Sequence, residues 1–181
     1  MDADSQELIG NDCATVNAFD GNQNTMWHTK WQDGSDPQPH EIQINLENSY
    51  DLTGFRYLPR QDGCDNGRIR NYEFYTSADG SNWSLAPSGA FSDNANEQEI
   101  VFNKQERVRY IRLRSLSAYD NDLWTSIAEI NLLGTLSSGI TNIVYEDAED
   151  ETINGWGIYD NIPIGAVINN VLDSARKQPC Y

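Results

Sequence analysis

The stretch AFDGNQNTMWHTKW, residues 18–31, holds an Asp-Gly turn, three amides, one His and two Trp. Its first half suits a hard cation. Calcium takes six to eight oxygens from carboxylates, carbonyls and hydroxyls. Asp20 offers a carboxylate, Thr25 a carbonyl and a hydroxyl, and Gly21 a turn tight enough to aim carbonyls inward. One loop supplies too little negative charge, so a second carboxylate is expected. SIAEINLL (126–133) offers Glu129, which points away from the core if Ala128, Ile130 and Leu132 face it. A self-capped Asx turn beside a surface Glu explains the same residues, and their spacing leaves the two readings even.

The second half suits a sugar, which presents an apolar C–H face and a rim of hydroxyls. Such a ligand needs an aromatic ring and a few fixed donors and acceptors. His28 and Trp31 lie just past the turn. LPRQDGCDNGR (58–68) adds Arg60, Asp65 and Asn66, and YDNDLWTS (119–126) adds Tyr119 and Trp124. A guanidinium fork and an amide suit vicinal hydroxyls, and the fork also suits a carboxylate. Each residue alone has an ordinary structural explanation, and Trp27 and Trp83 are expected in the core. The clustering in loops favours a ligand. Catalysis is not expected: His28 and His40 are the only histidines, and no Ser sits in a G-x-S-x-G elbow.

The elements that must position these residues are short strands. HEIQINL (40–46) alternates Ile42, Ile44 and Leu46 on one face. GFRYLP (54–59), RNYEFYTS (70–77), EIVF (99–102), RVRYIRLRSL (107–116) and SIAEINLL follow, separated by turn clusters such as DGCDNG and ADGSNW. In RVRYIRLR the apolar phase changes between Tyr110 and Ile111, which predicts a bulge or a strand covered on both sides. No segment shows sustained helical periodicity. The pattern predicts an all-β sandwich.

The 181 residues carry a formal charge of −16, which disfavours nucleic acid and anionic membrane surfaces as partners. MDADSQELIG has neither the basic start nor the apolar stretch of a secretory leader, although a secreted module without its leader reads the same way. Cys13, Cys64 and Cys180 lack zinc spacing, and a Cys13–Cys64 bridge stays open. Composition shifts near Gly134. Residues 1–134 read as one module, 135–145 as a linker, and 146–181 as the truncated start of a following module.

Taken together, NAFDGNQNTMWHTKW, PHEIQINL, GFRYLPRQDG, NGRIRNYEFYTSADGSNW, VRYIRLRSLS and WTSIAEINLLG resemble the coagulation-factor type C (discoidin) fold. More closely they resemble family 32 of the carbohydrate-binding modules, over about residues 5–134. The resemblance implies a jelly-roll β-sandwich of about eight antiparallel strands with a structural calcium. By position, the ligands would be the carbonyls of Asn17, Asn22, Thr25 and Ala128, the Thr25 hydroxyl, and the carboxylates of Asp20 and Glu129. The sugar contacts would be His28, Trp31, Arg60 and Asn66, with Trp124 or, second, Tyr119 as the last ring. Where some members read the sugar with Glu and Tyr, this chain has Asn11 and Ala14, and Lys30 and Arg68 leave room for an acidic sugar. The tail resembles segments joining modules in bacterial polysaccharide lyases, alginate lyases among them.

The resulting expectation is a monomeric, secreted, non-catalytic module that binds the terminal sugar of an oligosaccharide or polysaccharide, of galactose type or uronate-containing. It would target an attached glycan-degrading catalytic domain to its substrate. The alternative is a discoidin-like adhesion domain for a protein or lipid, which needs apolar spikes at the loop tips.

Overall fold

The computed structural model describes residues 1–137. The expected fragment at 146–181, most of the linker, and Cys180 lie outside the described residues. Eight strands are present: β1 Asp2–Ala3, β2 Trp27–His28, β3 His40–Leu58, β4 Ile69–Ser77, β5 Ser84–Ala90, β6 Gln98–Ala118, β7 Ser126–Ile127 and β8 Glu129–Leu136. All pairings among them are antiparallel.

Two long strands build the architecture. β3 joins the two runs at 40–46 and 54–59, and β6 joins those at 99–102 and 107–116. The β3–β6 register slips between Asn45 and Tyr50, again before Leu52, and again before Gly54. Glu47 and Arg107 take positive φ beside those slips. A bulge adds a residue to one strand and bends it. Both strands therefore turn a corner and serve both layers of the sandwich. The phase change in RVRYIRLR is this bulge: Val108 and Ile111, three apart, are both buried. β1 and the second half of β6 flank the start of β3, while β8 pairs with its end. β8 and its ladder to Tyr50 run to Leu136, two residues past the composition shift at Gly134.

Between the layers, Phe55 stacks on Phe74 with centroids 4.2 Å apart, and Phe91 packs on Tyr72 and Tyr57 at 4.2 and 4.3 Å. Ile42, Ile44, Leu113 and Ile130 fill the remainder of one continuous core. Trp27 belongs to it at 1% exposure and donates its indole N–H to Ser5 O at 2.9 Å. Trp83 does not. It is half-buried on the surface, where the Arg112 guanidinium lies 4.2 Å over its ring. A cation over an aromatic face stabilises a ring that water still reaches.

Candidate functional site

Three loops meet at one end of the sandwich, drawn together by the short β2–β7 pair, in which Trp27 faces Ile127 and His28 faces Ser126. Past β2, Thr29 N donates to Thr125 O (3.0 Å) and Thr125 N to the Thr29 hydroxyl (2.9 Å). The middle loop is stitched to the same place. Ser126 N donates to Gly67 O at 2.7 Å, and Gly67 N to the Asp122 carboxylate at 2.8 Å. Gly67 has φ +78°, and a Cβ there would stand 2.9 Å from Ser126 N, so glycine is required. Loops anchored this way hold their side chains at fixed separations.

His28, Trp31, Arg60, Asn66 and Trp124 come together here. The His28 and Trp31 rings meet edge to face at 4.6 Å, and Trp124 lies 6.3 Å from His28. His28 Nδ1 is 2.6 Å from Thr29 O, a carbonyl, so Nδ1 carries the proton. Nε2 is then the acceptor and faces the Asn66 side-chain amide at 3.3 Å. Burial lowers the pKa of His28, the nearby Arg60 charge adds to that, and the ring is neutral at pH 7. Arg60 donates from Nη1 to Asn66 Oδ1 at 2.6 Å, which fixes the amide's orientation. On its other edge Arg60 forms a two-point pair with Asp62, Nε to Oδ1 at 2.8 Å and Nη2 to Oδ2 at 2.5 Å. His28 is 1% and Arg60 7% exposed, whereas Trp31, Asn66 and Trp124 are half-buried. The polar chain thus forms a floor, and the two indoles stand at its surface.

Tyr119 is used differently. Its hydroxyl donates to Phe91 O at 2.7 Å, and the Arg70 guanidinium lies 5.8 Å from its ring. Among the described residues it makes no ring contact with His28 or either loop Trp. Arg68 is paired with Asp93 at 2.6 Å. Cys13 is buried and Cys64 exposed, and both thiols are free; burial pushes the Cys13 thiol up to about 11.

Several positioning residues left no signal in the sequence. Glu7 is fully buried. Its Oε1 accepts from the N–H groups of Ile9 and Gly10 (2.8 Å each), its Oε2 from those of Trp31 (2.9 Å) and Gln32 (2.8 Å). Those bonds, the Gln32 one foremost, outweigh desolvation and bring its pKa down to about 2. His40 is sealed as well. Nδ1 meets Asp4 Oδ2 at 2.7 Å and Nε2 meets Leu123 O at 2.9 Å. Burial alone would lower its pKa, but the hydrogen bond and charge of Asp4 carry it upward. Leu8 and Ile9 of the N-terminal loop are exposed, so that loop carries apolar side chains at the surface.

The residues expected to hold calcium meet around the 20–25 turn. Asn22 N lies between two carboxylate oxygens, Asp20 Oδ1 at 2.8 Å and Glu129 Oε1 at 3.0 Å, across 107 positions of chain. The Thr25 hydroxyl, with one hydrogen to donate, lies 2.8 Å from Asp20 Oδ2 and 2.7 Å from Asn22 O. Burial and the adjoining Asp20 carboxylate raise the pKa of Glu129. Two pressed carboxylates ringed by hydroxyl and carbonyl oxygens fit a hard divalent cation. No three of His, Cys, Asp and Glu converge among the described residues, so such a cation would depend on carbonyls for most of its shell. Asn17 spends its side-chain amide on Asp12 O and Met26 O, leaving its backbone carbonyl for that role, as for Ala128.

Residues 3–130 match the F5/8 type C domain family. A galactose oxidase of Gibberella zeae is 35% identical over 157 residues, covering 86% of this chain and 22% of that protein. A sialidase of Micromonospora viridifaciens is 35% identical over 135 residues, covering 74% and 21%. The chain therefore spans about a fifth of the length of these curated relatives. Among solved structures, a family 32 module of Clostridium perfringens in complex with GalNAc-β-1,3-galactose is similar at TM-score 0.67 and 32% identity, over 73% of this chain and 92% of that one. Another family 32 module from C. perfringens, in complex with galactose, gives 0.63 and 30%, over 72% and 90%.

Proposed function

The chain belongs to the F5/8 type C domain family as a family 32 carbohydrate-binding module, and from that premise we propose that its loop site binds the terminal sugar of a galactose-type glycan. The observation that carries this reading is the polar chain from His28 through Asn66 to Arg60, with the Trp31 and Trp124 rings 4.6 and 6.3 Å from the His28 ring. An indole takes the apolar face of a pyranose, while a rigid amide and a guanidinium take its hydroxyls. Contacts so few and so open to solvent give an affinity of roughly micromolar to millimolar.

The module binds and does not itself catalyse. Its use lies in tethering an attached glycan-degrading domain, since a linked domain works at high effective concentration near the bound glycan. We propose that the parent enzyme acts outside the cell, where its glycan substrate would be met. Calcium, when bound, would tie the 20–25 loop to the start of β8; Asp20, Glu129 and Thr25 would hold it, and β2 would follow the loop into place.

Titration calorimetry with methyl galactoside and N-acetylgalactosamine, alongside Arg60→Ala, tests the reading. Arg60→Ala removes donors to Asn66 and to the sugar, and binding should weaken at least ~10-fold with the circular dichroism unchanged. Undiminished binding by that variant places the sugar on another face.

A further inference from the structure

Among the described residues Arg60 is the one cation in the polar chain at the floor of the site, and its donors can be counted. The guanidinium has five N–H groups in a fixed plane. Nε–H and one Nη2–H go to Asp62, at 2.8 and 2.5 Å. Both Nη1 hydrogens go to Asn66, one to Oδ1 at 2.6 Å and one to the backbone O at 3.2 Å. A single Nη2–H is left. A carboxylate is recognised by two parallel N–H groups; of the two edges of Arg60 that present such a pair, Asp62 covers Nε/Nη2, and on the Nη1/Nη2 edge the Nη1 hydrogens are spent on Asn66. A hydroxyl needs only one donor.

We propose that Asp62 sets the charge selectivity of this site, by covering the Nε/Nη2 edge of Arg60 and cancelling its charge, so that neutral hexoses are accepted and uronates refused. The inference rests on the loop site being the sugar site. Of the two further cations that leave room for an acidic sugar, Lys30 makes no ion pair among the described residues and offers only a single mobile ammonium, without the parallel donors of a guanidinium. Arg68 is committed to Asp93 at 2.6 Å, and the whole chain carries −16. Asp62 can be altered without emptying the core, because its side chain is 41% exposed while that of Arg60 is 7% exposed. Asp62 Oδ1 also accepts from Cys64 N at 3.2 Å, so the variant should keep an acceptor there.

The test measures methyl galactoside and methyl galacturonoside binding by the full chain, by Asp62→Asn and by Asp62→Ser, at low ionic strength. The parent should prefer the neutral sugar by ~10-fold or more, and both variants should shrink that ratio about tenfold by gaining galacturonoside affinity. Added salt should weaken the gained affinity, as expected for an exposed charge contact. A purely structural role would change both sugars together and leave the ratio alone. An unchanged ratio with galactoside binding intact overturns the inference and spares the site. A parent that prefers galacturonoside overturns it as well. A parent that binds neither sugar overturns the site reading and this inference with it.

Discussion

Trp31 N donates to the carboxylate of Glu7 at 2.9 Å, joining the N-terminal loop to the tryptophan at the rim of the site. The same oxygen takes Gln32 N, and the other takes Ile9 and Gly10. A buried anion held by four backbone donors fixes two loops at once. The indole of Trp31 is therefore presented by tertiary structure, not by the conformation of its own loop. A Cβ at Gly10 would stand 3.2 Å from the Trp31 indole nitrogen, which shows how closely the two loops pack.

The Glu7 arrangement gives an acid-sensitive contribution to stability. Its folded pKa of about 2 lies below its ordinary 4.5. The stabilisation is fully present above 4.5 and is lost as pH falls toward 2. Glu7→Gln keeps the shape but supplies only one acceptor oxygen, so its melting temperature at pH 7 should fall further than that of Glu106→Gln at an exposed site. Its melting curve should also vary less between pH 5 and pH 3 than the parent's. Equal pH dependence in both proteins would remove Glu7 from this role.

His40 titrates with the opposite sign. Both ring nitrogens face oxygen acceptors, Asp4 on one side and the Leu123 carbonyl on the other, so both carry protons in the folded state. With a folded pKa above 6.5, the contribution is complete below pH 6.5 and is lost as pH rises through the folded value. The Leu123 contact precedes Trp124, so the loss should loosen that loop. Melting temperatures of the parent should decline across this window on the alkaline side, and those of His40→Gln should not. A flat parent profile contradicts the assignment.

Much of this site is legible in the residues themselves. Asp20, Thr25, His28, Trp31 and Arg60 each have an ordinary structural use, and it is their clustering in and beside turns that makes them legible as a set. Glu7 and Asp62 could not be read this way. An acidic residue beside a turn normally faces water; tertiary folding brings the amides of Trp31 and Gln32 to Glu7, and the Asp62 contact, although only two residues from Arg60, depends on a loop conformation that spacing does not reveal. The strand runs were visible in the alternation of Ile42, Ile44 and Leu46. The fusion that makes β3 was not, because ENSYDLT at 47–53 has turn composition, with a bulge at Glu47, and only from Tyr50 on is it held extended by β6 and β8. Trp83 was misplaced in the core because hydropathy cannot anticipate a guanidinium over the ring. Of the two rings the sequence allows for the last loop, Tyr119 and Trp124, it is Trp124 that lies near His28, while the Tyr119 hydroxyl is bonded to Phe91 O.

The paired carboxylates of Asp20 and Glu129 predict a response to calcium. A chelator should lower the melting temperature, and calcium at 100 times its Kd should add about 2.7 kcal/mol. Asp20→Asn and Glu129→Gln should each abolish the response, because each removes half of the anionic charge. If chelator and calcium leave the parent unchanged, the hydrogen bonds from Asn22 and Thr25 suffice to hold the loop.

The central claim is that the three loops present Trp31, Trp124 and the Arg60–Asn66 floor to a sugar. Nuclear magnetic resonance titration of the isotope-labelled chain with methyl galactoside tests it most directly. The account predicts shifts concentrated on the indole N–H signals of Trp31 and Trp124 and on the Asn66 side-chain amide, with Trp83 silent. Shifts confined to the polar cleft between Thr76 and Val108, or spread evenly with none at those indoles, contradict it.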